Sequence, residues 1–76
     1  MKKQILKFIK ENLLEDNIEI DFNTPLFSKK VLDSLNLTEL IMFIEEEFNI
    51  NVELSEVIYE NFDTVSKMVD FIKRKQ

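Results

Sequence analysis

The chain has 76 residues, 45% hydrophobic and 33% charged, with no Cys, no His and no Gly; that is enough for one modest core, read here as a single domain over residues 1–76, and too little to enclose a deep active site. Without His and Cys the commonest general base, thiolate metal sites and a disulfide framework are excluded, and without Gly so are phosphate-cradling loops and the dinucleotide fingerprint. The formal net charge of −5 is unevenly held, since residues 31 to 66 contain nine acids and no base, a distribution that repels nucleic acid and attracts a basic protein surface.

No apolar run is long enough to span a bilayer, and Met1-Lys2-Lys3-Gln4 has no signal-peptide core behind it. A cytoplasmic monomer is expected. The first helix is predicted over roughly Lys3 to Glu15, where Ile5, Phe8, Ile9 and Leu13 recur at helical spacing. From Asp16 to Leu32 the periodicity is lost and the turn-favouring residues Asp21, Asn23, Thr24, Pro25 and Ser28 collect. A connection this long is more often functional than idle. Its apolar residues Ile18, Ile20, Phe22, Leu26, Phe27, Val31 and Leu32 are expected to pin it to the core.

The second helix is predicted to start at Asp33 or Ser34, either of which can cap it, and to run to about Phe48. Ile50-Asn51-Val52 reads as a connection. A short third helix is predicted over roughly Ser55 to Asn61, with Leu54, Val57 and Ile58 on its buried side. Asp63 or Thr64 then caps a last helix in which Val65, Met68, Val69 and Ile72 form the inner stripe and Lys73, Arg74 and Lys75 sit at the C-terminal end. The fold class expected is all-α, a small four-helix bundle with a long loop between helices one and two and a short third helix. No internal repeat or second domain is evident.

On a helical wheel the second helix gathers Leu37, Leu40, Ile41, Ile44 and Phe48 into a core stripe. The opposite side presents Leu35 and Met42 with Glu39 and Glu46 beside them, and Thr38 and Glu45 toward Ser34. Two apolar residues ringed by acids can be a docking surface, or a solvated polar face with two incidental apolar residues; the wheel leaves both open. Glu45, Glu46 and Glu47 point about 100° apart around a helix and cannot converge on one ion. Ser34 has no histidine to make it a nucleophile. It is therefore either part of a helix cap or a substrate for another enzyme.

The run Thr24-Pro25-Leu26-Phe27, followed by Val31-Leu32-Asp33-Ser34-Leu35 and Glu39-Leu40-Ile41-Met42, resembles the modification site of acyl carrier proteins. The resemblance continues through Glu45-Glu46-Glu47-Phe48-Asn49-Ile50 to Asp63-Thr64-Val65 and so covers nearly the whole chain. It implies a bundle of acyl-carrier type in which Ser34 of Asp33-Ser34-Leu35 receives 4′-phosphopantetheine from coenzyme A through a separate, magnesium-dependent phosphopantetheinyl transferase. The function implied is that of a freestanding carrier, not an enzyme, which holds acyl or aminoacyl cargo as a thioester. By the same resemblance Leu35, Glu39, Met42, Glu45 and Glu46 form the face that meets basic patches on the transferase, a loading ligase, and synthases.

Three departures stand out. Lys30 occupies a place where many relatives have glycine, so the loop must turn without the residue that takes positive φ most cheaply. Asn36 stands where carriers of fatty-acid synthesis often have an acid, and Ser55 to Phe62 is longer than in those carriers. Both lean toward a specialised carrier, loaded with an amino acid or D-alanine by a standalone ligase or serving a secondary-metabolite pathway. The rival of another class is an unmodified acidic helix bundle that binds a fixed partner.

Overall fold

In the computed structural model, which describes residues 1–15 and 17–76, each of the three long apolar stripes of the sequence forms a helix against one shared core. Helix α1 (Lys2–Asn12) turns Ile5 and Ile9, one turn apart, completely inward. It stops before the expected Glu15 because the amides of Leu13 and Leu14 both converge on the Ile9 carbonyl and close the helix there. Helix α2 (Ser34–Phe48) buries Leu40 and Ile44, while Leu37, Ile41 and Phe48 are partly buried against the core. It ends at Asn49, whose φ of 54° is the left-handed conformation that asparagine tolerates.

The last helix, α4 (Val65–Lys75), packs against α1 and against the short helix before it. Val65, Met68, Val69 and Ile72 are buried as their spacing predicts. Phe71 is buried as well, its ring 5.2 Å from that of Phe62. Helix α1 meets α2 through aromatic rings: Phe8 stacks on Phe43 at 4.2 Å, and Phe43 meets the edge of Phe48 at 6.4 Å. A radius of gyration of 11.3 Å agrees with the roughly 11 Å expected for a folded chain of this length. Among the described residues no helix is long and apolar enough to cross a membrane.

The long connection carries no helix over residues 17–32; Asp16, with which it was expected to begin, lies outside the described residues. Ile20, Leu26 and Leu32 are buried, and Phe22, Phe27 and Val31 are half-buried against the core. Ile18, expected to help pin the loop, is exposed instead. Its amide closes a turn onto the Glu15 carbonyl, which leaves the side chain at the outside of the bend.

The third helix also differs from expectation. A single turn of 3₁₀ helix (Leu54–Glu56) and a four-residue helix α3 (Tyr59–Phe62) replace the continuous Ser55–Asn61 segment. Between them Val57 leaves the helical region with ψ 77°, and Ile58 is fully extended, as suits two adjacent β-branched residues. This break rotates the phase of the inward face: Leu54 is 89% exposed and Ile58 is exposed, while Phe62 is buried in their place. The segment is fastened to the end of α4 by the ion pair Lys75–Glu56 at 3.0 Å and by Arg74, which donates to Asn61 Oδ1 at 2.8 Å.

Candidate functional site

The residues leading into α2 are held from two sides. Leu26 N donates to the Asp63 carbonyl at 2.7 Å, and the Leu26 carbonyl accepts from Leu32 N at 2.8 Å, so the loop is pinched into a closed bend. Lys30, inside that bend, takes φ 59°. The left-handed turn that a glycine makes freely is thus made by a lysine, at a cost on the order of 1–2 kcal/mol.

Of the two residues considered as caps for the last helix, Thr64 is the one that caps, its Oγ1 accepting from Lys67 N at 3.0 Å. Asp63, only 7% exposed, faces the loop instead. Its Oδ1 accepts from Phe27 N at 2.8 Å and Ser28 N at 2.9 Å, and its Oδ2 from Ser28 Oγ at 2.6 Å. Burial, the largest single influence on this carboxyl, pushes its pKa up. The Ser28 hydroxyl, the Ser28 and Phe27 amides and the charge of Lys67 together outweigh burial and hold it below the usual aspartate value.

At the start of α2 the capping duty falls on Asp33, which is extended and accepts from Asn36 N at 2.9 Å. Asn36 returns the bond, its Oδ1 accepting from Asp33 N at 3.0 Å. Ser34 is therefore the first helical residue and not the cap. It is exposed, and its hydroxyl makes no hydrogen bond to any described residue; only its carbonyl is engaged, by Thr38 Oγ1 at 3.1 Å. The amides of Ser34 and Leu35 lie in the first turn, where no intrahelical acceptor exists.

Along α2 the outward residues follow the wheel: Leu35 is 66% and Met42 62% exposed, and Glu39 and Glu46 are exposed beside them. Glu45 is half-buried, and its Oε2 accepts from Val52 N at 2.9 Å, tying down the connection after the helix. That tie was not visible in the sequence. Met42, Glu45 and Glu46 border a shallow depression with Ile50 and Asn51. Among the described residues no group of three or more acids is placed to hold a metal ion.

A feature absent from the sequence reading lies one turn beyond Ser34. Leu37, Phe27, Val57, Ile58, Tyr59 and Phe62 line an open apolar groove of about 410 Å³, with Glu60 the charged residue of its wall. The sequence signal for it was the surplus of apolar residues at 57 to 62, more than a four-residue helix can bury.

Residues 3–72 match the phosphopantetheine attachment site family. The chain is 39% identical to a D-alanyl carrier protein of Streptococcus suis over 69 residues, 91% of this chain and 86% of that protein. It is 37% identical to an acyl carrier protein of Chlamydia caviae over 76 residues, all of this chain and 96% of that protein. A D-alanyl carrier protein of Streptococcus mutans is 35% identical over 72 residues, 95% of this chain and 90% of that protein. The chain belongs to the phosphopantetheine-attachment family of carrier proteins, whose prosthetic group is 4′-phosphopantetheine and whose members are carriers, not catalysts. The residues present fit that group: a free, exposed hydroxyl stands on the first turn of a 15-residue helix, where unpaired amides and the helix dipole favour a phosphate.

Proposed function

We propose that Ser34 carries the phosphopantetheine arm and that the protein shuttles acyl or aminoacyl cargo between a loading ligase and the enzymes that use it. The observation that carries this reading is the reciprocal Asp33–Asn36 cap, which leaves the Ser34 hydroxyl exposed and without a structural duty. In the attachment step a bond forms between Ser34 Oγ and the phosphorus of coenzyme A's pantetheine phosphate. The pyrophosphate bond breaks and adenosine 3′,5′-bisphosphate leaves. The hydroxyl proton passes to a base of the transferase.

When bound, the arm supplies a flexible tether ending in a thiol that can hold cargo as a thioester. Asp33 and Asn36 fix where on the helix the arm is rooted. Leu35 and Met42 offer apolar contact and Glu39 and Glu46 offer charge to a basic partner surface, with Glu45 contributing from its half-buried position. Docking of this kind is fast, salt-sensitive and easily reversed, as a shuttle requires. The groove beside Leu37 gives a short cargo an apolar wall to lie against. A cytoplasmic setting suits a thiol that must stay reduced between loadings.

The D-alanyl carriers among the relatives support an aminoacyl cargo, and the acyl carrier of Chlamydia caviae supports an acyl one. Intact-mass measurement of the protein purified from its native host, before and after hydroxylamine treatment, tests the reading. A mass increase equal to one arm plus a hydroxylamine-labile group is expected, and the labile mass names the cargo. Protein that is unmodified under all growth conditions would instead support a fixed interaction module.

A further inference from the structure

We propose that Asp63 is a positioning residue for the attachment loop, its carboxylate holding Phe27 and Ser28 so that the Ser34 hydroxyl is presented in one place. The proposal rests on the reading of Ser34 as the attachment point. Asp63 belongs to the junction between α3 and α4, yet all three donors to its carboxylate come from residues 35 and 36 positions earlier in the chain. Helix α4 does not need it, because Thr64 is the cap. A carboxylate this buried is unfavourable unless its oxygens are satisfied, and here the loop alone satisfies them.

The hold reaches Ser34 through an unbroken set of contacts. Asp63 fixes Phe27 and Ser28. The bond from Leu32 N to the Leu26 carbonyl closes the bend around them, and Leu32 is itself buried. Asp33 follows directly and is locked by Asn36. Phe27 also forms one wall of the groove beside Leu37, so the same carboxylate sets the loop and the groove wall together. Without the clamp, Lys30 in its left-handed conformation would favour a different loop path.

The test uses the unmodified protein with a phosphopantetheinyl transferase and coenzyme A, measuring kcat and KM for the carrier, and amide hydrogen exchange at Phe27 and Ser28. Asp63→Ala is expected to lower kcat about tenfold while KM changes little, because the docking face on α2 is untouched. Exchange at both amides should accelerate about tenfold or more. Ser28→Ala, which removes only the hydroxyl bond, should give a smaller loss of the same kind, and Ser28→Thr should restore it. Thr64→Ala, which loosens α4 but leaves the loop bonds in place, should retain the wild-type kcat. If Asp63→Ala does not fold, the Ser28 pair decides. The proposal is overturned if folded Asp63→Ala keeps the wild-type kcat, if Thr64→Ala loses as much, or if Ser28→Thr behaves like Ser28→Ala. Modification of Ser34→Ala as fast as wild type would sink the Ser34 reading alone, while the exchange rates would still report whether Asp63 holds the loop.

Discussion

Asp33 and Asn36 cap each other across the first turn of α2, each backbone amide donating to the other's side chain at 3.0 and 2.9 Å. The arrangement gives a physical reason for an amide at position 36. The Asn36 side chain provides the acceptor that a capping box needs without adding a second carboxylate beside Asp33. Asp33→Ala is expected to cost about 1 kcal/mol of folding stability and Asn36→Ala less, since the amide it leaves is exposed to water. Because the two bonds depend on one turn geometry, the double variant should lose less than the two single losses together. Urea denaturation of the four proteins measures this, and strict additivity would mean that the two bonds form independently.

The division of α2 into an inner and an outer face sets a second expectation. Ile44 is completely buried, so Ile44→Ala should cost about 2–5 kcal/mol. Met42, two residues away, is mostly exposed, and Met42→Ala should stay within about 0.5 kcal/mol. Phe48 should fall between them, since its half-buried ring meets Phe43 only edge-on. Similar denaturation midpoints for the Ile44 and Met42 variants would contradict the orientation of the helix.

Helices α2 and α4 were legible because each keeps one phase of apolar residues from cap to end: Leu40 and Ile44 in one, Val65 to Ile72 in the other. The third segment was not, because a wheel assumes a continuous helix and the chain breaks at Val57–Ile58, so Leu54 turns outward and Phe62 inward. Ser34 and the exposed Leu35, Glu39, Met42 and Glu46 could be singled out from local spacing. The partners of Asp63 and Glu45 could not, since Phe27, Ser28 and Val52 are bonded to them across loops whose paths no periodicity encodes. Asp63 and Thr64 stood as alternative caps, since either residue type suits that position, and nothing local distinguished the capping Thr64 from the loop-binding Asp63. The left-handed Lys30 was anticipated only as the lack of a glycine, and the loop keeps its turn by straining the lysine.

The Asp63 clamp also makes stability depend on pH. Its folded-state pKa lies below the unfolded value of about 3.9, so the stabilisation is fully present above the unfolded value and is lost as the pH falls through the folded one. Asp63→Asn removes that titration. Urea midpoints measured from pH 6 downward, to about pH 2, should therefore fall less steeply for Asp63→Asn than for wild type in the acid limb. Parallel acid limbs would show that the carboxylate gains nothing from its three donors.

Charge on the outer face of α2 should govern encounter with a basic partner. Reversing Glu39 and Glu46 to Lys should raise KM for a transferase with a basic docking surface about tenfold or more at low salt, and less at high salt. Reversing Glu11, which lies on α1, should have little effect. Equal modification rates for the two variants at low salt would reduce the acidic face to a solvated surface.

The Ser34 hydroxyl, left free by the Asp33–Asn36 cap, is the proposed attachment point. Intact-mass spectra of wild type and Ser34→Ala, each incubated with a phosphopantetheinyl transferase, magnesium and coenzyme A, test it most directly, with circular dichroism to establish that both are folded. Wild type should gain the mass of one phosphopantetheine, and Ser34→Ala should gain none while keeping its helical spectrum; equal gain by the two proteins would place the arm on another residue.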